Sequence, residues 1–200
     1  SFYICSLSNR TIVYKGLLTP RQVKLFYNDM LDMDFESAFC LIHSRYSTNT
    51  FPTWNLAQPF RFLAHNGEIN TLMGNRAWMK ARESVLEMNF ISKKEMDDIF
   101  PIISPAGSDS ASLDNALDLL VSSGINIVEA MMMLIPEAFG EKNHLSPEES
   151  AFYHYHSVFL EPWDGPAAIA FTDGKFIGAR LDRNGLRPAR YIVTKDDRVI

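Results

Sequence analysis

Apolar side chains recur along this chain with two different periods, and the changes of period mark out the elements. Phe2 to Leu7 and Thr11 to Tyr14 are short β-branched or aromatic runs broken by Ser8-Asn9-Arg10, the pattern of a hairpin. Pro20 to Asn28 spaces Val23, Phe26 and Tyr27 at three and four residues, a short helix opened by Thr19 with Pro20 at its first position. Ser37 to His43 predicts a buried strand that runs into a polar loop, Ser44 to Asn55. Phe60 to His65 predicts another, ending abruptly at Asn66-Gly67.

Helical spacing then takes over. Leu72, Met73, Ala77, Met79, Val85 and Leu86 make one face of a helix between Asn70 and about Met88, with Lys80, Arg82 and Ser84 outward. Ser108 to Val121 predicts a second helix, capped by Ser110 or Ser112, with Leu113, Ala116, Leu117 and Leu120 inward and Gly124 as its stop. Asn126 to Leu134 is a third, ended by Pro136, and Ser146-Pro147-Glu148-Glu149 opens a fourth with its acids in the first turn, where the helix dipole favours them. Ala167 to Phe171 and Phe176 to Leu181 flank Asp173-Gly174, a strong hairpin signal, and Tyr191 to Val193 and Val199 to Ile200 add short strands. Strands first, helices in the middle and hairpin strands last favour an α+β fold with antiparallel sheets. No repeat and no linker divides the chain.

Composition narrows this picture. With 46% hydrophobic and 12% aromatic residues over 200 positions, the chain can bury a core, and ten glycines and ten prolines are ordinary usage. A net charge of -5, from 19 basic and 24 acidic residues without a basic run, argues against nucleic acid as the main partner. The longest apolar run, Ala130 to Pro136, is far short of the roughly 20 residues a membrane helix needs. Cys5 and Cys40 are too few for a disulfide scaffold and have no metal-knuckle spacing, which suits a reducing compartment. Ser1-Phe2-Tyr3-Ile4-Cys5 has no secretory leader pattern, and we expect the chain to be cut from a longer one.

Four clusters could carry chemistry. His43-Ser44-Arg45-Tyr46-Ser47-Thr48-Asn49 offers a guanidinium among hydroxyls, suited to gripping a carboxylate or phosphate or to forming a surface ion pair. Asn66-Gly67 offers an amide donor and a bare backbone N–H, which is what an oxyanion hole requires and also what a tight turn looks like. Asp109, in Gly107-Ser108-Asp109-Ser110, is either a helix-start residue or a carboxylate facing a substrate ammonium. Asp182-Arg183-Asn184-Gly185-Leu186-Arg187-Pro188 reads by default as a connecting turn. His154 and His156, two apart in a helical stretch, complete no metal-ligand set, so no metal site is assigned. Met131-Met132-Met133 reads as core filler.

Together with Glu161-Pro162-Trp163-Asp164-Gly165-Pro166 and the run to Tyr191, these clusters resemble the type 2 glutamine amidotransferase domain of glutamate synthase large subunits, over nearly the whole chain. The resemblance implies an αββα sandwich of the N-terminal nucleophile hydrolase type, incomplete at both ends, with residues 1–200 forming part of a single domain. It implies L-glutamine as substrate, with Arg45 holding its α-carboxylate assisted by Thr48, Asp109 its α-ammonium, and Asn66 and Gly67 the oxyanion. It implies no cofactor in these residues, FMN and an iron–sulfur cluster elsewhere in the parent enzyme, the remaining domains of the large subunit as partners, and a cytoplasmic or plastid location.

The family's nucleophile is an N-terminal Cys, whereas residue 1 here is Ser and neither Cys5 nor Cys40 has a free α-amino group. The nucleophile segment is therefore expected to be absent and the chain alone inactive. Two rivals make different predictions. A self-sufficient hydrolase using Ser1, or Ser/His chemistry around His43 or His65, would release ammonia unaided; a non-catalytic amino-acid-binding or interface module would bind without turnover.

Overall fold

The computed structural model describes residues 3–46, 50–88, 91–138 and 144–200. Its sheet has three antiparallel strands in the order β1 (Leu63–Gly67), β2 (Ala167–Thr172) and β3 (Ile177–Leu181). Leu63 lies opposite Phe171 and Gly67 opposite Ala167, while Thr172 pairs with Ile177 and Ala168 with Leu181. The Asp173-Gly174 turn between β2 and β3 forms as the sequence predicts: Gly174 adopts φ +86°, and the Asp173 carboxylate accepts from the N–H groups of Lys175 and Phe176 at 2.9 and 2.8 Å. The Phe171 ring covers Gly178 across the strands, where a Cβ would come within 2.4 Å of the ring.

Among the described residues six α-helices accompany the sheet: α1 (Pro20–Phe26), α2 (Leu72–Glu83), α3 (Lys93–Ile99), α4 (Asp109–Ser122), α5 (Ile127–Leu134) and α6 (Pro147–His156). Leu113, Ala116 and Leu117 of α4, Ile127, Ala130, Met131 and Leu134 of α5, and Leu63, Ile169 and Phe171 of the sheet share one buried core with Trp163. Burying such side chains is the main favourable term of the fold. Met131 and Met133 are core residues, as their position on an apolar helix suggests. The fold is thus mixed helix with a small antiparallel sheet. No helix of the described residues is long and apolar enough to cross a membrane.

Several elements differ from the sequence reading. Ser37–His43 forms no strand; it is irregular and largely exposed, with Ile42 80% accessible. Its apolar content resembles a buried strand, yet the described residues supply no neighbouring strand to pair with it. The residues 3–7 and 11–14 approach each other without a ladder: Ser6 Oγ accepts from the Val13 N–H at 3.1 Å and donates to the Thr11 carbonyl at 3.3 Å, standing in for backbone pairing. At the other end only an isolated bridge joins Val193 and Val199. Helix α2 is shorter than its apolar pattern, and its inner face is partly polar. Met73, Ala77 and Val85 are exposed, whereas Asn75, Met79 and Glu83 are buried. Asn75 turns inward because its Nδ2 donates to the Pro162 carbonyl at 3.1 Å, and Glu83 because its carboxylate accepts from the Ile102 N–H at 2.9 Å. The cap of α4 is Ser108, whose Oγ accepts from the Ala111 N–H, rather than Ser110 or Ser112. Helix α3 is not foreseen by apolar spacing; its signal is the capping box Ser92-x-x-Glu95, in which Glu95 accepts from the Ser92 N–H at 2.9 Å.

Two features hold the open parts of the chain against the core. Lys15 is buried, its ammonium donating to the Asn55 carbonyl at 3.1 Å and lying 4.9 Å from the Phe60 ring centre and 5.0 Å from that of Tyr3. The second is a close crossing of the segments after β1 and before β2. The N–H of Glu68 donates to the Pro166 carbonyl at 3.0 Å and that of Asn70 to the Asp164 carbonyl at 2.7 Å. Gly67 and Gly165 make this possible: they adopt φ +145° and +155°, and a Cβ at Gly67 would lie 1.8 Å from the Pro166 oxygen, one at Gly165 1.9 Å from the Glu68 oxygen.

Gly165→Ala is therefore expected to lower the urea midpoint by the equivalent of more than about 1–3 kcal/mol, the usual cost of a sparsely allowed conformation alone, because the Cβ also meets the Glu68 carbonyl. A midpoint equal to that of the unsubstituted protein would sink the idea. Burial pulls the Lys15 amine down to about 8 from 10.5. Between pH 8 and 10 the unfolded chain then binds a proton that the folded chain does not, so stability rises with pH across that window. Denaturation curves at pH 8, 9 and 10 should show this rise, and Lys15→Met should flatten it.

Candidate functional site

Strand β1 and the start of α4 face one another and bring three of the sequence clusters into one neighbourhood. Because side chains alternate across a strand, His65 turns inward and Asn66 outward. The backbone of His65 is clamped by the buried Gln58 amide, whose Oε1 accepts from its N–H at 2.7 Å and whose Nε2 donates to its carbonyl at 3.0 Å. The Asn66 side chain is left exposed, beside the bare backbone of Gly67.

Helix α4 meets this strand with polar side chains. Asp114 Oδ1 accepts from the N–H groups of Phe62 and Leu63 at 3.0 and 3.2 Å, and its Oδ2 from that of Arg61 at 3.2 Å. Burial pushes the Asp114 carboxyl up to about 7, against the pull of these three donors. One turn earlier, the His65 Nδ1 lies 2.8 Å from Ser110 Oγ. Asp109 is buried; its Oδ2 accepts from the Ile69 N–H at 3.1 Å and its Oδ1 from the Ser110 N–H at 2.7 Å. Arg76 of α2 steadies the same helix end, its Nη2 donating to the Gly107 carbonyl at 2.6 Å and its Nε to Ser112 Oγ at 3.1 Å.

His65 is the point on which the clusters converge. Burial lowers its pKa, with the Asp109 carboxylate opposing that shift and the charges of His43 and Arg187 adding to it. His43, half-buried, is likewise held below its ordinary value by burial. Arg45, two residues on, is exposed; its N–H donates to His43 Nδ1 at 3.1 Å, and its guanidinium forms no ion pair among the described residues. Thr48 lies outside the described residues.

The Asp182 motif closes the neighbourhood from the β2 side. Asp182 Oδ1 accepts from the N–H groups of Asn184 and Leu186 at 3.0 and 3.1 Å, and Oδ2 from those of Ala167 and Arg187 at 3.1 and 3.3 Å. Its burial would raise the carboxyl, but four backbone donors outweigh it and hold the pKa below the ordinary value. Ala167, which Asp182 grips, is the residue opposite Gly67. The Glu161 motif is structural in a different way: Arg82 of α2 forks onto Glu161 at 3.0 and 2.5 Å, and Arg183 pairs with Asp164 at 2.5 Å.

Sequence reasoning singled out Arg45, Asn66, Gly67 and Asp109 but missed Gln58, His65, Ser110 and Asp114 as the groups that position β1 and Asp109. Their signal is weak in a sequence, since a Gln before Pro or a Ser inside a helix reads as ordinary. Among the described residues no three His, Cys, Asp or Glu side chains are grouped to hold a metal ion. Cys5 is half-buried with its Sγ donating to the Val13 carbonyl at 3.5 Å, and Cys40 is exposed; both are free thiols. An apolar hollow of about 430 Å³ lies elsewhere, between α2, α4, α5 and α6, lined by Leu119, Leu120, Met133, Tyr155 and Phe159 among others.

The family model for class-II glutamine amidotransferases matches residues 1–200. The chain is 59% identical over 202 residues to the large chain of the NADPH glutamate synthase of Bacillus subtilis, covering all of this chain and 13% of that one. It is 54% identical to the NADH glutamate synthase of Saccharomyces cerevisiae, covering all of this chain and 9% of the yeast protein. A ferredoxin-dependent glutamate synthase of the alga Antithamnion is 54% identical over 98% of this chain and 13% of its own length. The chain therefore spans about a tenth of the relatives it matches, and it belongs to the class-II glutamine amidotransferases.

Proposed function

We propose that this chain is the glutamine-binding part of the ammonia-releasing domain of a glutamate synthase, within an αββα sandwich whose remaining strands come from outside these residues. One observation above all supports the reading: Asn66 presents its amide to solvent beside Gly67, while the same stretch of chain is bound through His65 and Ile69 to Ser110 and Asp109. Donors for a developing oxyanion and a carboxylate for an ammonium thus belong to one rigid unit.

Each group then has a role that follows from its chemistry. Arg45, exposed and without an ion pair among the described residues, holds the α-carboxylate of L-glutamine through its fork of donors, with Thr48 assisting. Asp109 holds the α-ammonium. A thiolate attacks the side-chain amide, and the charge that develops on its oxygen is met by the Asn66 amide and the Gly67 N–H. Ammonia leaves, and water hydrolyses the γ-glutamyl thioester. Cys5 and Cys40 lie inside the chain and lack the α-amino group that serves as base in this chemistry, so the thiolate belongs to a segment outside these residues, and the 200 residues alone release no ammonia.

The ammonia would be delivered to the rest of the large subunit, where 2-oxoglutarate becomes glutamate. The iron–sulfur cluster implied there does not fit this chain, which has two cysteines where such a cluster usually takes four thiolates; FMN is likewise assigned to the other domains. The cytoplasm or a plastid would house the enzyme.

In the complete parent enzyme, Asn66→Ala should lower glutaminase kcat by about 10²–10³, the usual loss for one oxyanion donor, with a smaller change in KM. Equal losses in binding and turnover would contradict the assignment. Arg45→Lys keeps the charge but removes the bidentate fork, and should raise KM for glutamine about tenfold or more with kcat changed less. An unchanged KM would remove Arg45 from the site.

A further inference from the structure

Asp109 is tied to the chain on both sides of Asn66-Gly67, the last two residues of β1. Upstream, the tie runs from His65 Nδ1 to Ser110 Oγ at 2.8 Å, and from Ser110 to Asp109 Oδ1 through its N–H at 2.7 Å and its hydroxyl at 3.4 Å. Downstream, the Ile69 N–H reaches Asp109 Oδ2 at 3.1 Å. Asn66, Gly67 and Glu68 are the three residues bracketed between these struts. The upstream strut is rigid for a local reason: the His65 ring is almost wholly buried, and the Gln58 amide fixes its backbone in both directions.

The direction of the His65–Ser110 hydrogen bond follows from where the Ser110 hydroxyl proton points. If the Ser110 hydroxyl proton points to the Asp109 carboxylate, Oγ must accept from His65, so Nδ1 carries the ring proton. In that tautomer Nε2 is a bare lone pair; it is buried and has no hydrogen-bond partner among the described residues. A buried acceptor left unpaired costs stability, of order 1–3 kcal/mol. An apolar side chain at this position would avoid that cost but could not reach Ser110 with a donor.

We propose that His65 and Ser110 are positioning residues: their hydrogen bond sets the Asp109 carboxylate relative to the oxyanion donors of Asn66 and Gly67, and so couples recognition of the substrate's ammonium to reaction at its amide. The inference rests on the function proposed above. Neither residue touches substrate; they act through Asp109.

The test uses the complete parent enzyme and two amides, L-glutamine and glutaramate, which carries the same amide and carboxylate but no α-ammonium. The readout is the ratio of kcat/KM for glutamine to that for glutaramate; where glutaramate turnover is too slow to follow, its inhibition constant against glutamine serves in its place. Ser110→Ala should lower the ratio about tenfold, and Ser110→Thr, which keeps the hydroxyl, should restore it. If Ser110→Ala slows both amides by the same factor, or if Thr fails to restore the ratio, Ser110 is only structural and the inference is overturned. Asp109→Asn separates the two levels of the argument. A ratio that survives Asp109→Asn removes Asp109 from ammonium binding and overturns the site reading itself; a ratio that collapses in Asp109→Asn but survives Ser110→Ala overturns this inference alone.

Discussion

Helix α4 holds the strand that carries the site by polar side chains set along its length, and most of the local architecture follows from that grip. Asp114 satisfies the three N–H groups that lead into β1, Ser110 meets His65 in its middle, and Asp109 takes the N–H of Ile69 just past its end. Apolar packing of Leu63 against Leu113 and Leu117 would leave the strand free to slide, because hydrophobic contact is not directional. Hydrogen bonds to buried carboxylates are directional, and leaving any of those donors unpaired is costly. Register between helix and strand is thereby fixed by named donor–acceptor pairs.

The parts of the fold legible in the sequence are those whose cause is local. Asp173-Gly174 needs only a glycine that tolerates positive φ, and Ser146-Pro147-Glu148-Glu149 forms its own capping box, Glu149 accepting from the Ser146 N–H at 2.8 Å. Ser37–His43 fails for the opposite reason: a strand exists only if another strand pairs with it, and that condition is not written in the residues themselves. The inner face of α2 fails because Asn75 and Glu83 are drawn inward by backbone groups of Pro162 and Ile102, far away in sequence. The site divides in the same way. Asn66, Gly67 and Asp109 stand out as short motifs, whereas Gln58, Ser110 and Asp114 become visible only once β1 and α4 are placed side by side.

The first sixty residues and the core differ in kind. Among the described residues before Phe62, Leu56 and Phe60 reach the core, while much of the rest is held by side-chain hydrogen bonds and by Lys15 between aromatic rings and leaves Leu7, Ile42 and Phe51 in solvent. The sheet, α4 and α5 instead supply most of the buried core, with Leu63, Ile169, Phe171, Leu113, Leu117, Ile127, Met131 and Leu134. Arg45 belongs to the first part and Asn66 and Asp109 to the second. On the function proposed above, a glutamine held by both Arg45 and Asp109 would join the two parts, so its binding would be thermodynamically linked to the placement of Arg45.

The paired glycines at 67 and 165 bear on how such a sequence can change over time. Each is forbidden a side chain by the other segment's backbone carbonyl, not by a side chain that a second mutation could shrink. No compensating substitution at a neighbouring position relieves a clash with main chain. The two sites are therefore dead ends for drift: a lineage can alter the residues around the crossing, but it can leave glycine at either position only by rebuilding the crossing as a whole.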